Sequence, residues 1–387
     1  MTQLVLLEPE DPQGRWHPFG GVRPISELRA GAWRIRERWE QAVGVGASAI
    51  MGSTVAGFVD VDCPPVVAPH PVAGPVIIAA SDFAPDAGRL AIPSGVTQLV
   101  SHGRPVAQVV AGGTGSPTLV GTGPAMEVPG RWLSGAFSLL DVLEQFLGVD
   151  CEAFSAAEGE PPAGALVLGD AERVRNASAG VEPGVVFDVR DGCVAIMPGA
   201  EVRSGTRIEG PCWIGEGARV LGGFVRRSVI GPRAVVRGEV SNSIFTGYCN
   251  KAHEGFVGHS VLGHWVNLGA LTTTSNLKNT YGSVRLDTPH GPFETGRQFL
   301  GSLIGDHART AIGTMLGTGT IVGAGANVFG DGRPPKWIPP FAWGLDGRKE
   351  TSEEGFLTVA RRVLPRRNVT VTPAHEAWLT SLYRRLA

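Results

Sequence analysis

The chain has 387 residues, enough for two or three domains whose cores need no disulfide staples. Apolar residues make up 43% and charged residues only 18%, and 55 glycines with 29 prolines point to turn-dense β structure rather than a helical protein. The formal net charge of −2, with basic residues gathered only in pairs such as Arg226-Arg227, Arg361-Arg362 and Arg366-Arg367, argues against nucleic acid as a principal partner.

At the N-terminus, MTQLVLLEPEDPQGRW carries a short apolar run stopped by Glu8 and Glu10, which predicts a first buried strand rather than a signal peptide. No apolar stretch reaches the roughly 18 residues of a membrane span, so a soluble protein with no membrane partner is expected. The five cysteines are scattered and never in CxxC spacing, which points to reduced thiols and a cytoplasmic setting. LVLLE (4–8) and PVIIAA (75–80) read as buried strands. ISELRAGAWRIRERWEQAV has helical spacing through Ile25, Leu28, Ala32, Ile35 and Trp39, and LSGAFSLLDVLEQFLG (133–148) predicts a second helix. Residues 1–150 therefore predict a layered α/β domain. The Pro/Gly/Ala-rich stretch within 151–180 predicts a linker.

A different period follows. Ile196, Val202, Ile208, Ile214 and Val220 lie six apart with Gly or Pro in the turns between them, and Ile304, Thr310, Leu316, Val322 and Val328 repeat the beat. A third run, Phe256, Leu262, Leu268 and Thr274, has the same spacing. This hexapeptide pattern predicts a parallel β-helix over 181–335, with one short strand and one turn per hexad and the aliphatics stacked inside. Residues 221–255 shift phase and must hold an insertion. Residues 275–303 lack the beat and predict an excursion from the coil. PPKWIPPFAWG then caps the solenoid, and 336–387 predicts a helical tail in which Thr372 is an N-cap, Pro373 opens the last helix, and Trp378, Leu382 and Leu386 form one apolar stripe.

Three of the nine histidines, His253, His259 and His264, fall within AHEGFVGHSVLGHWVNLGALTTTSN. As a zinc set they fail, because His253 and His259 are six apart and so point from successive faces in different directions. One catalytic histidine suits the stretch better. An amine that attacks a thioester must first lose the proton of its ammonium form, and a histidine titrates in the right range to take it. Nearby polar groups and backbone N–H donors would orient the amine and stabilise the oxyanion. His253, Asn267 and the amide of Ala270 are the candidates; the competing reading is that His253 only caps a turn.

The same stretch resembles the acetyltransferase segment of the bifunctional sugar-phosphate enzymes that couple N-acetylation of glucosamine 1-phosphate to uridylyl transfer. His253, Gly258, Asn267, Gly269, Ala270 and Asn276 fall on that family's pattern without gaps. FGGVRPISELRAGAWRIRERWE, EGPCWIG and VARRVLPRRNV extend the resemblance over nearly the whole chain, to a sub-family described as sugar nucleotidyltransferases. The resemblance implies a left-handed β-helix, a homotrimer, acetyl-CoA as co-substrate and a sugar 1-phosphate as acceptor. Asn276 would contact substrate, and an acyl-CoA cleft between subunits would involve Ile312, Gly313 and Ala324. Two family positions differ: Ser241 stands where a phosphate-binding Lys is expected, and Phe256 where an aromatic hydroxyl is expected. Lys278, Arg285 and Arg297 in the excursion are then the candidate phosphate cations.

The N-terminal segment departs further from the family, since a Gly-rich basic phosphate loop should follow the first strand. Gly20, Gly21, Arg23 and Arg29 are a partial substitute for binding a nucleoside triphosphate, and Asp60 and Asp62, or Asp82, are candidate Mg²⁺ ligands. GGTGSPTLVGTG (112–123) is a weak phosphate loop. The expected activity is acetyl transfer to an amino sugar 1-phosphate in nucleotide-sugar biosynthesis. Sugar-1-phosphate nucleotidyl transfer, or a non-catalytic oligomerisation or sensor role for the β-helix, are the alternatives.

Overall fold

A computed structural model describes residues 2–119, 123–154, 162–345, 347 and 349–387. The N-terminal region is built on a seven-stranded mixed sheet. Gln3–Leu7 runs parallel to Ala47–Met51 on one side and to Val76–Ala80 on the other. Arg104–Val110 joins the far side of Val76–Ala80 antiparallel. The two expected strands are central, and their unbroken apolar runs suit a sheet covered on both faces.

Helix α1 spans only Ile35–Val43, shorter than the spacing suggests. Ile25, Leu28 and Ala32 are buried as expected, but in a 3₁₀ turn and a short two-strand ribbon that reverses at Gly31. Gly31 has φ +74°, and a Cβ there would sit 2.4 Å from an Asp150 carboxylate oxygen, so the turn cannot be helical and takes no larger residue. Helix α2 covers Leu139–Ala153.

Beyond residue 162 the chain is a three-sided parallel β-helix of the left-handed β-helix kind, followed by short helices. Nine strands from Val174–Asn176 to Trp337–Ile338 stack in order on the second face. Leu166–Leu168 already pairs with Val186–Asp188, so coiling starts inside the segment expected to be a linker, of which residues 155–161 lie outside the described residues. The hexad aliphatics from Ile196 to Val220 and from Ile304 to Val328 all point inward and are buried. The third run is corrected by one residue: Val257, not Phe256, faces the interior beside Val240. The phase shift arises where Arg219–Arg226 and Val235–Ser241 each run across a corner at glycine. At Gly223, φ +96°, a Cβ would meet the Gly238 carbonyl oxygen at 2.4 Å.

The second face is apolar outside as well as inside. Trp213, Val229, Ile244, Val261, Leu303 and Ile321 point outward, yet each is buried in one core with the N-terminal sheet, α1 and α2. The Arg29 guanidinium lies 4.7 Å over the Trp213 ring, and Phe154 stacks on the same indole. Helix α3 (Glu353–Val363), capped by Ser352, and helix α4 (Pro373–Leu386), capped by Thr372, close the remaining seam. The apolar stripe of α4 packs Trp378 edge-on to Phe58 of the N-terminal sheet region. Trp213→Ala should lower stability by about 3–5 kcal/mol. Urea unfolding measures this, and a loss under about 1 kcal/mol would show that the two regions do not share a core.

Candidate functional site

The corner between the third and first faces carries His253. It follows Asn250–Lys251 on the third face and precedes Phe256–Gly258 on the first. Lys251 is in register with inward-facing Val236 and is only 2% exposed, so its alkyl chain lies inside the solenoid. Its ammonium reaches the corner and donates to the carbonyls of Arg237, at 2.6 Å, and His253, at 3.0 Å. Burial pushes its pKa down to about 8, with Glu254 opposing. The backbone of His253 is therefore pinned from within, while its imidazole is exposed and hydrogen-bonded to no described residue.

The next coil places Ala270 beside it, because Leu271 N–H bonds the Glu254 carbonyl. The Ala270 carbonyl accepts from Gly313 N–H, and its own N–H has no partner among the described residues. Asn267 sits on the adjoining third face, where its Oδ1 accepts from Asn250 Nδ2 at 2.9 Å, and Asn250 in turn accepts from Arg367. Ile312, 78% exposed, and Gly313 continue the same corner. Thus His253, Asn267, Ala270, Ile312 and Gly313 come together. Ala324 does not: it lies at the corner joining the second and third faces, 1% exposed, with its carbonyl bonded to Phe341 N–H. No ligand can reach it there.

At the far end of the Phe256–Gly258 strand is Asn276. A Cβ on Gly258 would lie 2.3 Å from the Phe256 ring and 2.8 Å from Asn276 Nδ2, so both side chains lie close over that glycine. Asn276 Nδ2 bonds His259 Nδ1 at 2.8 Å, and the His259 ring stacks on Phe299. Burial first, and Arg226 second, lower the His259 pKa to about 4, which keeps the ring neutral and able to accept. Ser241, at the expected lysine position, has its hydroxyl bound by Arg226 Nε at 2.8 Å. Arg226, Ser241 and Gly258 are in register on successive coils, so a cation stands one coil away from the position it should occupy.

The excursion cations do not converge on this face. Lys278 donates to the Ser283 carbonyl, Arg285 pairs with Asp287 within the hairpin Arg285–Thr288/Gly291–Glu294, and Arg297 binds Asp141 of α2. They tie the excursion to itself and to the N-terminal region.

Nor do the N-terminal candidates form a nucleotide cradle. The Gly21 carbonyl accepts from Arg385, and Gly20 packs on Trp16. Arg23 is buried between Asp60 and Asp306, at 2.8 and 2.9 Å. Asp60 Oδ2 takes both Arg23 and His264 Nδ1, and Oδ1 takes Val61 N–H, so its carboxylate is filled and unsuited to Mg²⁺. Burial would raise its pKa, but His264 and Arg23 hold it well below the usual range. Asp62 and Arg29 line a separate cleft. Of the glycine-rich stretch 112–123, residues 120–122 lie outside the described residues, and Thr114–Gly115 pairs antiparallel with Val72–Ala73 rather than leading into a helix. Instead, two carboxyls that terminate neighbouring parallel strands are perturbed. Glu8 is raised to about 7 and Asp82 to about 6, both chiefly by burial.

No family model matches the chain. A protein of Sulfurisphaera tokodaii described as a bifunctional sugar-1-phosphate nucleotidylyltransferase/acetyltransferase is 33% identical over 91 residues, which are 24% of this chain and 23% of that protein. This chain therefore matches less than a quarter of that relative's length. Among solved structures, an Arabidopsis UDP-N-acetylglucosamine acyltransferase aligns with 57% of this chain and 88% of its own at 14% identity and a TM-score of 0.22. A second UDP-N-acetylglucosamine acyltransferase aligns with 48% and 68% at 13% identity and a TM-score of 0.15. Over those 91 residues the chain is similar to a protein described as a transferase.

Proposed function

We propose that the first face of the solenoid, from His253 to Asn276, binds an amino sugar 1-phosphate and that His253 is the general base for acetyl transfer to it from acetyl-CoA. One observation carries the reading: an exposed histidine on a corner held by Lys251, beside the N–H of Ala270, both without a hydrogen-bond partner among the described residues. The partial identity to a bifunctional nucleotidylyltransferase/acetyltransferase supports it. His253 takes a proton from the attacking amine as the N–C bond forms. The Ala270 N–H donates to the thioester oxygen as it becomes an oxyanion, and the C–S bond then breaks with the proton passing to the departing thiolate. Asn267 and Asn276 orient the sugar, and Arg226 takes the place of the missing lysine near its phosphate.

Leu271, Ile312 and Met315 expose apolar surface along the His253 corner. In this reading a trimer covers it, and acetyl-CoA lies in the cleft between neighbouring copies. A second reading, nucleotidyl transfer by the N-terminal region, is favoured by Glu8 and Asp82 at the carboxyl ends of parallel strands, where α/β sheets place ligands. Mg²⁺-dependent pyrophosphate release from a nucleoside triphosphate and a sugar 1-phosphate would distinguish it.

Thiol release from acetyl-CoA with glucosamine 1-phosphate should fall at least about 100-fold in His253→Ala, the range of general-base contributions. Release that is equal in the two proteins, or absent from wild type, overturns the proposal. Ile312→Asp should convert a trimer to monomers in sedimentation velocity; an unchanged sedimentation coefficient would place the subunit contact elsewhere. Lys251 supplies a pH test of the corner. Its folded pKa of about 8 lies below the unfolded value of about 10.5, so between these limits the unfolded chain binds more protons and stability rises with pH. Lys251→Met should remove that rise, at most about 3 kcal/mol, from urea unfolding compared at pH 7.5 and 10.5.

A further inference from the structure

A cleft of about 150 Å³ opens where the N-terminal region meets the solenoid corner joining its second and third faces. Arg29 and Asp62 line it from one side, and Glu216, Arg233, Tyr248 and His264 from the other. It lies away from the His253 corner, at the opposite end of the Asn250–Lys251 strand, and the acetyl-transfer reading makes no use of it.

Arg29 is the first observation. Arg23, Arg34, Arg36 and Arg38 each pair with a carboxylate. Arg29, only 6% exposed, has none within ion-pair distance among the described residues. Its guanidinium donates to the carbonyls of Thr246, at 3.2 Å, and Ala32, and rests on Trp213. The nearby Glu37 is occupied by Arg34, whose guanidinium donates twice to Oε1 and whose backbone N–H donates to Oε2. An arginine remains charged in a protein, and a buried cation without an anion is costly, so this one suits an anionic ligand.

The other walls complete a recognition site. Arg233 has no side-chain partner among the described residues and faces the same space. His264 is held at Nδ1 by Asp60 at 2.6 Å, which leaves Nε2 for the cleft. Tyr248 stacks on Trp265 and stands edge-on to His264, and its hydroxyl bonds no described residue. Asp62 and Glu216, more exposed and without side-chain partners, offer carboxylates at the mouth. Buried Arg29 with half-buried Arg233 and His264 inside, and exposed carboxylates at the mouth, suit a molecule with a phosphate at one end and hydroxyls at the other.

We propose that this junction cleft binds a sugar phosphate, its phosphate on Arg29, Arg233 and His264 and its hydroxyls on Asp62 and Glu216. Binding at the junction is independent of acetyl transfer.

Calorimetric titration of the full chain with glucose 1-phosphate, which has no amine to acetylate, tests this against inorganic phosphate. Glucose 1-phosphate should bind at least tenfold more tightly than phosphate. Arg233→Gln and Tyr248→Phe should each weaken it at least fivefold with circular dichroism unchanged, and His253→Ala should leave it within twofold. Equal affinity for the two anions overturns the sugar assignment. Binding within twofold of wild type in both Arg233→Gln and Tyr248→Phe, loss of binding in His253→Ala, or no binding at all overturns the site. Thiol release is not read in this experiment, so failure here leaves the acetyl-transfer reading to its own test.

Discussion

Arg23 is the pivot on which the two halves of the molecule are set. Its guanidinium, 1% exposed, joins Asp60 of the N-terminal region to Asp306 of the solenoid. The loop closes through His264, whose ring bonds Asp60 and whose backbone N–H bonds Asp306 Oδ1 at 3.1 Å. Such a network is a poor source of net stability, because desolvating its charges offsets most of their attraction. It is strongly directional, however, and losing one partner would strand the others in a dry interior. The apolar contact along the second face supplies the attraction but no unique register. The buried charges supply the register, and with it the shape of the junction where Arg29 and His264 meet.

What was legible in the sequence follows from this division. The hexads at Ile196–Val220 and Ile304–Val328 could be read because a solenoid interior demands the same kind of residue at every turn. Between them the rule lapses at Gly222, Gly223 and Gly238, where the chain crosses corners with positive φ and each coil shortens. Counting by six does not carry the phase across these corners: it reaches Phe256, whereas Val257 is the residue inside. The helix expected from Ile25 overran for a different reason. Burial periodicity says which residues are inside, whereas Gly31 decides that the backbone turns.

The covered second face left a signal that went unused. Its strands CWI, VI, IF, VL and SLI are apolar on both sides, and a strand exposed on one side would alternate. The candidates His253, Asn267 and Ala270 lie at one corner because coil spacing brings them together. The cations were misplaced because side chains on an excursion have no period. Lys278, Arg285 and Arg297 are taken up by local partners, and the cation beside Ser241 is Arg226, on the preceding coil.

Lys251 shows why a charge is tolerated in the one place a solenoid should refuse it. Its column holds Val236 above and Leu268 below, and an aliphatic at this position would have packed without a desolvation cost. The ammonium meets the carbonyls of Arg237 and His253 where the pairing of Val235–Ser241 breaks between Asn250–Lys251 and Phe256–Gly258. Removing the amine would leave those oxygens without their donor, so the lysine and the irregular corner require each other. A regular hexad turn would need no such residue. The irregularity presents His253 outward at a fixed backbone, and the proposed acetyl transfer, in which a base must meet an amine within hydrogen-bond reach, depends on that placement.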